Sequence, residues 1–406
     1  QGLQIQGGTQ LMRYLGIDLA RSVAIFFVII GHALTAANLR TEAGAVLGSL
    51  SLFLAASAPV FFCLFGTMLQ LVYARKFAAG HSVVITQRLW SRGLQCWALY
   101  ALSCAVMCVA WKLSFTYWVR CSIFFTDTYY TDILRFYAVM LALAPLMILV
   151  SVRIGLWPLV IVAGAIHMAF PIFSNLGPMG TFTGAENFSS FLYGGNMLNH
   201  SAPSVLHGFG FVVSGMVMGK VMAARPGREL LLSGPGWGVR GAFITLVLVC
   251  AAWMWAGQYN VALPDVRAYL RNANHPLYLL TGVAATVVFI DVFGLIRRMA
   301  SIASDSVWMV FGRTSLFTFA FGNSLLYIVH IEDRSAPGNL ALLISSVAAV
   351  MAMSLTYALF RDARMLKADH WAARLYRAVV DDGAIAVVRW VTAPVMRRSV
   401  GTARSA

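Results

Sequence analysis

Apolar positions along this chain come in long blocks. Ten runs of about 17–25 residues carry almost no charge, which is the length that the hydrocarbon core of a bilayer demands. They fall at 17–38, 50–74, 93–113, 132–150, 155–173, 203–222, 239–257, 276–296, 307–329 and 340–360. Several contain Gly or Pro (Pro59, Pro145 and Pro158 among them), which helix bundles in membranes tolerate. The pattern predicts an all-α, polytopic membrane helix bundle with ten transmembrane helices in one domain, 13–360. A short leading segment, 1–12, and a tail, 361–406, flank it.

Composition agrees. Of 406 residues, 60% are hydrophobic and 11% charged, too little charge to keep a soluble protein of this size dissolved. The net charge of +15 would suggest nucleic acid as partner of a soluble protein. Here Lys and Arg sit between and after the apolar runs, so the positive-inside rule accounts for them and nucleic acid is not an expected partner. With the N-terminus cytoplasmic, twenty-one of the thirty Lys and Arg fall on inner segments and six on outer ones, and Arg21, Arg135 and Arg313 lie inside runs. Both termini are therefore expected in the cytoplasm. The tail alternates basic residues with Leu366, Trp371, Leu375 and Val379, as an amphipathic helix on the inner leaflet would. The opening QGLQIQGGTQ lacks the basic-then-apolar order of a cleavable signal. Five of the six cysteines lie within runs and none forms C-x-x-C, which excludes a disulfide framework. Cys104 and Cys108 share a helix face as lipid-facing or packed thiols.

Candidate chemistry concentrates in the first run. In RSVAIFFVIIGH, Arg21 and His32 are eleven residues apart. At 100° per residue they share a helix face, separated by about 16 Å along the axis. Asp18 can pair with Arg21 at i, i+3. Ionisable groups inside a membrane are costly, and function is the default reading, ahead of a buried salt bridge with a hydrogen-bonded histidine. The spacing fits a long substrate with an anionic end at the inner face and a reactive end deep in the membrane, as in acyl-coenzyme A. Its phosphates would meet Arg21 and the basic inner segments. A neutral His32 could then take the proton from an acceptor hydroxyl.

From these residues a resemblance follows. RYLGIDLARSVAIFFVIIGH (13–32) resembles the opening helix of the membrane acyltransferase 3 family, marked by an Arg and a His separated by ten residues. APVFFCLFGTML (58–69) is similar to that family's second-helix pattern, and ITQRLWSRGLQCWALYAL (85–102) to its basic entry to the third helix. TDILRFYAVMLALAPLMIL (131–149), LHGFGFVVSGMVMGK (206–220) and FGRTSLFTFAFGNSLLYI (311–328) resemble later blocks, the first of these three also resembling the related glucan succinyltransferase branch. One departure stands out: Arg88 and Arg92 are four apart, and Leu89 occupies the place of the nearer arginine of the family's pair. The resemblance implies transfer of an acyl group, of the acetyl or succinyl class, from cytoplasmic acyl-CoA to a glycan hydroxyl at the outer face of a bacterial cytoplasmic (inner) membrane. It carries His32 as catalytic base, and Arg21, Arg88 and Arg92 as donor contacts.

Other positions are secondary. Arg313 could join the phosphate site or pair with Asp305 or Asp291. Asp132 could orient His32 and Arg135 could bind sugar, or the two could form only a surface pair. Glu186, in the long polar outer loop 174–202, and His207 are candidates for acceptor binding. His167, His200, His207, His275 and His330 cluster toward the outer face, but no carboxylate or cysteine joins them at ligand spacing, so no metal is expected. GMVMGKV (215–221) lacks the first Gly and the Ser/Thr of a phosphate loop; Gly215 and Gly219 instead suit close helix packing. The expectation is thus an O-acyltransferase that needs acyl-CoA as substrate and no cofactor. Its partners would be lipid and glycan, and a homo-oligomer is compatible. The rival is a secondary transporter of a carbohydrate or organic anion, against which stands the lack of matching halves.

Overall fold

The computed structural model describes residues 14–37, 56–126, 128–181, 183–194, 203–224, 274–303, 306–329 and 336–362, with a few isolated positions outside them. Every regular element among the described residues is helical. In chain order they are α1 (Leu15–Ala36), α2 (Ser57–Met68), α3 (Ser82–Ala110), α4 (Phe115–Ser122), α5 (Asp132–Arg153), α6 (Trp157–Met168) and α7 (Phe170–Asn175). These are followed by α8 (Ala185–Tyr193), α9 (Val205–Ala223), α10 (Pro276–Met299), α11 (Val310–Arg313), α12 (Ser315–Val329) and α13 (Ala336–Asp362).

Seven helical segments among them are long and apolar enough to cross a membrane, and α6 and α12 are shorter apolar helices. Nine of the ten apolar runs coincide with described helices; the run at 239–257 lies outside the described residues. Three boundaries differ from the sequence expectation. The third helix begins at Ser82 rather than near 93, so Arg88 and Arg92 sit on it and not in a loop. It is separated from the wide helical turns that extend α2 by Gly80, whose φ of 89° only glycine adopts without strain. The run 155–173 breaks at Ala169, because Pro171 starts a new helix and cannot continue the old one. The run 307–329 is interrupted at Thr314, between α11 and α12.

Small residues set the packing. A Cβ on Gly66 or Gly215 would lie 1.9 Å from a backbone oxygen of the facing helix, Val212 and Cys63 respectively. Helices α2 and α9 therefore touch backbone to backbone, as Gly215 and Gly219 suggested. Thr67 Oγ1 adds a bond to Gly215 O at 3.1 Å. Phe62, Met140, Phe211 and Met216 fill the adjoining core. Pairings also fix directions. Helix α1 runs parallel to α11–α12, since Ser22 meets Gly312 and His32 meets Asn323. Helix α13 returns antiparallel to α12, with Phe317 stacked on Tyr357 and Gly322 against Val350. Tyr278 against Phe211, and the shared cluster of Met218, Met222, Val287 and Ile290, make α9 and α10 parallel. Exposed apolar residues such as Val109, Leu146, Ile161, Ile344 and Leu359 cover the outside, where lipid tails are the natural solvent.

Candidate functional site

The site is framed by α1 and the parallel α11–α12. At one end Ser22 Oγ donates to Asp18 O at 3.0 Å and accepts from Gly312 N at 2.6 Å. A Cβ on Gly312 would lie 2.6 Å from Asp18 O, so only glycine allows this approach. It brings Arg313 beside the turn of α1 that carries Arg21. Arg21 donates to Asp18 Oδ1 at 2.5 Å, and its buried Nε has no hydrogen-bond partner among the described residues. The Asp18–Arg21 pair expected from the i, i+3 spacing is therefore formed, with donor capacity left over.

At the other end, His32 Nδ1 lies 2.7 Å from Asn323 Oδ1. The half-buried imidazole packs against Tyr130, at 5.3 Å between centroids, and Phe319, at 6.1 Å. With the amide oxygen as acceptor, Nδ1 is the nitrogen that carries a proton toward Asn323. Asn323 is fully buried. It escaped the sequence reading because it is uncharged; a lone amide in the apolar stretch FTFAFGNSLLYI was the available signal.

The third wall is α3. Arg88, Arg92, Gln95, Leu99 and Ser103 fall on one stripe at 100° per residue. Ser103 Oγ donates to Ala320 O at 3.2 Å and accepts from Ser324 Oγ at 3.1 Å, so this stripe faces α12. Trp90, Leu94 and Trp97 point the other way, lining an apolar groove of about 460 Å³ against α5. Arg92 and Arg88 are exposed, and Arg92 donates to Gln95 Oε1 at 3.0 Å. Arg92 precedes Ser103 by eleven residues, as Arg21 precedes His32, and Arg313 precedes Asn323 by ten. Three arginines on three helices thus share a depth about 16 Å from the His32 layer, with Arg88 one turn further away.

Asp132 and Arg135 form a pair at 2.9 Å. Asp132 also accepts from Thr128 Oγ1 at 2.9 Å. Thr128 bonds Thr131 Oγ1 at 3.3 Å, which bonds Tyr327 OH at 3.1 Å, and that hydroxyl accepts from Tyr130 N at 3.1 Å. Asp132 therefore reaches the wall of His32 through a ladder of hydroxyls. Arg135 is fully buried and lies 4.3 Å over the Phe191 ring, so it is no surface residue. His207 is buried too: Nδ1 meets Ser204 Oγ at 2.8 Å, and its carbonyl meets His167 Nε2 at 3.1 Å. Neither side chain is open to a glycan. Glu186 is exposed in the first turn of α8. Arg313 is half-buried; Asp305 lies outside the described residues, and Asp291 accepts from Leu231 N at 2.6 Å. Cys104 and Cys108 are buried, packed thiols rather than lipid-facing ones. Among the described residues no three His, Cys, Asp or Glu side chains come together as a metal site.

The helix architecture defines an all-α, multi-pass membrane helix bundle. The family model described as "OpgC protein" matches residues 13–120 and 114–365, and the chain belongs to that family, a membrane acyltransferase-like one. No curated protein matches the sequence.

Proposed function

We propose that this protein is a membrane O-acyltransferase of a bacterial inner membrane, moving an acetyl- or succinyl-class group from cytoplasmic acyl-CoA to a hydroxyl of an envelope or secreted glycan at the outer face. The observation that carries the reading is the layering just described. Arg21, Arg92 and Arg313 share one depth, and the His32–Asn323 pair lies about 16 Å away on the same frame. Guanidinium groups suit phosphate because they pair with it in two-pronged fashion. A slender pantetheine arm would lie along α1, bringing the thioester to His32.

In this reading His32 Nε2 takes the proton of the acceptor hydroxyl as its oxygen attacks the thioester carbon. The C–O bond forms, the C–S bond breaks, and the proton passes from His32 to the departing thiolate. Asn323 holds the imidazole in the tautomer this needs. Asp132 acts through its hydroxyl ladder as a positioning residue, and Arg88 extends the phosphate site toward the cytoplasm. Glu186 belongs to the acceptor side. Both termini lie inside, so donor and acceptor are served from opposite faces.

The test is transfer from radiolabelled acyl-CoA to glycan by the purified, reconstituted full chain. Wild type should transfer. His32→Ala should fold and lose about 100- to 10,000-fold in rate, the usual loss for a general base. Near-normal turnover in the folded variant removes His32 from the mechanism, and absence of transfer from any acyl-CoA removes the reaction.

A further inference from the structure

The acceptor needs a surface beside His32, and neither Arg135 nor His207 supplies one. What lies there is aromatic. Trp111 and Tyr129 meet edge to face at 5.2 Å, Tyr129 and Tyr130 at 6.4 Å, Tyr130 and Tyr327 at 5.0 Å, and Tyr327 and Trp111 at 5.6 Å. Four rings thus close a circuit, and Tyr130 is the ring that packs on His32. The circuit is locked by hydrogen bonds as well as by contact. Trp111 Nε1 donates to Tyr327 O at 3.0 Å, and Tyr130 N donates to Tyr327 OH at 3.1 Å. Tyr130 and Tyr327 are buried, and Trp111 is half-buried. Tyr129 alone of the four is exposed, at 56%.

We infer that Tyr129, backed by Trp111, is a sugar-stacking platform that seats a neutral pyranose of the acceptor glycan next to His32. The inference rests on the acyl-transfer reading for its purpose and on the ring geometry for its place. A pyranose carries one face of C–H groups and a rim of hydroxyls. An aromatic ring with an apolar body and a wet edge complements that shape. The platform is stiff, because its supporting rings are fixed by bonds to the main chain, so little ordering cost falls on binding.

Aromatic residues at an outer boundary can also belong to the interfacial belt of a membrane protein. Phe115, 72% exposed, and Trp118, at 5.1 Å from it, fit that role on the short helix α4. Tyr129 differs in two respects. It sits in the non-helical stretch 128–131 just before α5 instead of on a spanning helix, and its contacts lead inward to the imidazole through a single intervening ring. A belt residue requires neither.

The experiment is equilibrium binding of neutral gluco-oligosaccharides, one linkage at a time, to the purified full chain without donor, followed by tryptophan fluorescence or calorimetry. Wild type should bind at least one of them saturably. Tyr129→Ala and Tyr129→Leu should weaken binding about five- to tenfold, the effect of losing one aromatic stacking contact. Tyr129→Phe, which keeps the ring, should bind nearly as wild type, and so should Phe115→Ala. The Leu variant guards against a cavity effect of the Ala variant, and melting curves report folding. Wild-type affinity in folded Tyr129→Leu overturns the platform, as does a wild type that binds none of the sugars. Ring-dependent sugar binding without acyl transfer would sink the acyltransferase reading and leave the platform standing. Transfer with ring-independent binding would do the reverse.

Discussion

Asn323 offers the sharpest lever on the mechanism, because it touches His32 without being able to move a proton itself. Its amide oxygen is 2.7 Å from Nδ1, a short hydrogen bond. Asn323→Leu keeps the volume roughly constant and leaves Nδ1–H without its acceptor, at a cost of about 1–3 kcal/mol. The alternative tautomer then becomes accessible, and in it Nε2 carries the proton and cannot act as base. Since about 1.4 kcal/mol is a factor of ten, kcat should fall about 10- to 100-fold. The ring still packs between Tyr130 and Phe319, so the loss should stay below that of His32→Ala. The KM for acyl-CoA should change less than about twofold, because the proposed phosphate site lies about 16 Å away. Asn323→Asp, which can still accept from Nδ1–H, should retain more activity than Asn323→Leu. Steady-state transfer measures the kcat and KM split. Nitrogen-15 spectra of labelled histidine should show one tautomer of His32 in wild type and a mixture in Asn323→Leu. A wild-type kcat in Asn323→Leu, or a single unchanged tautomer there, would refute the reasoning.

Two further outcomes follow from the frame. Arg21→Lys should raise the KM for acyl-CoA while leaving acceptor affinity alone, because a lysine keeps the charge near Asp18 but loses the two-pronged phosphate contact; an acceptor-only defect in separate titrations would contradict the depth assigned to Arg21. Gly215→Ala should destabilise the protein by about 1–3 kcal/mol, as overpacking does, since its Cβ would meet Cys63 O at 1.9 Å; an unchanged thermal midpoint in the same detergent would contradict the close α2–α9 contact.

The helices were legible because the membrane makes their signal coarse. A span must be long and apolar, and seven of the described helical segments meet that demand, with α6 and α12 as shorter apolar helices. Their ends were less legible, for local reasons. The start of α3 was misread because Arg88 and Arg92 look like loop residues, yet arginine stems lie comfortably along a helix while their heads stay exposed. The breaks at Ala169 and Thr314 depend on a proline in one case and on a tight approach of Gly312 to α1 in the other. Only the first leaves a mark in a single sequence.

The site divides the same way. Arg21, Asp18 and His32 share one helix, so their relation is fixed by the 3.6-residue turn and needs no tertiary information. The partners supplied by other helices, Asn323 and the Tyr130–Tyr327 wall, are uncharged and ordinary in composition, and only the parallel run of α1 with α11–α12 brings them to His32. Arg135 illustrates the opposite error. Spacing alone gave a pair with Asp132, and that pair is formed, but spacing says nothing about burial. The fold sinks the guanidinium beneath Phe191 and leaves Tyr129 exposed a few residues earlier. A buried arginine with a paired carboxylate and a ring over it is expensive to build and holds α5 against α8. An exposed tyrosine costs little. Charge directed attention in the sequence to Arg135, whereas exposure in the structure directs it to Tyr129, and the binding of a neutral sugar depends on the second property.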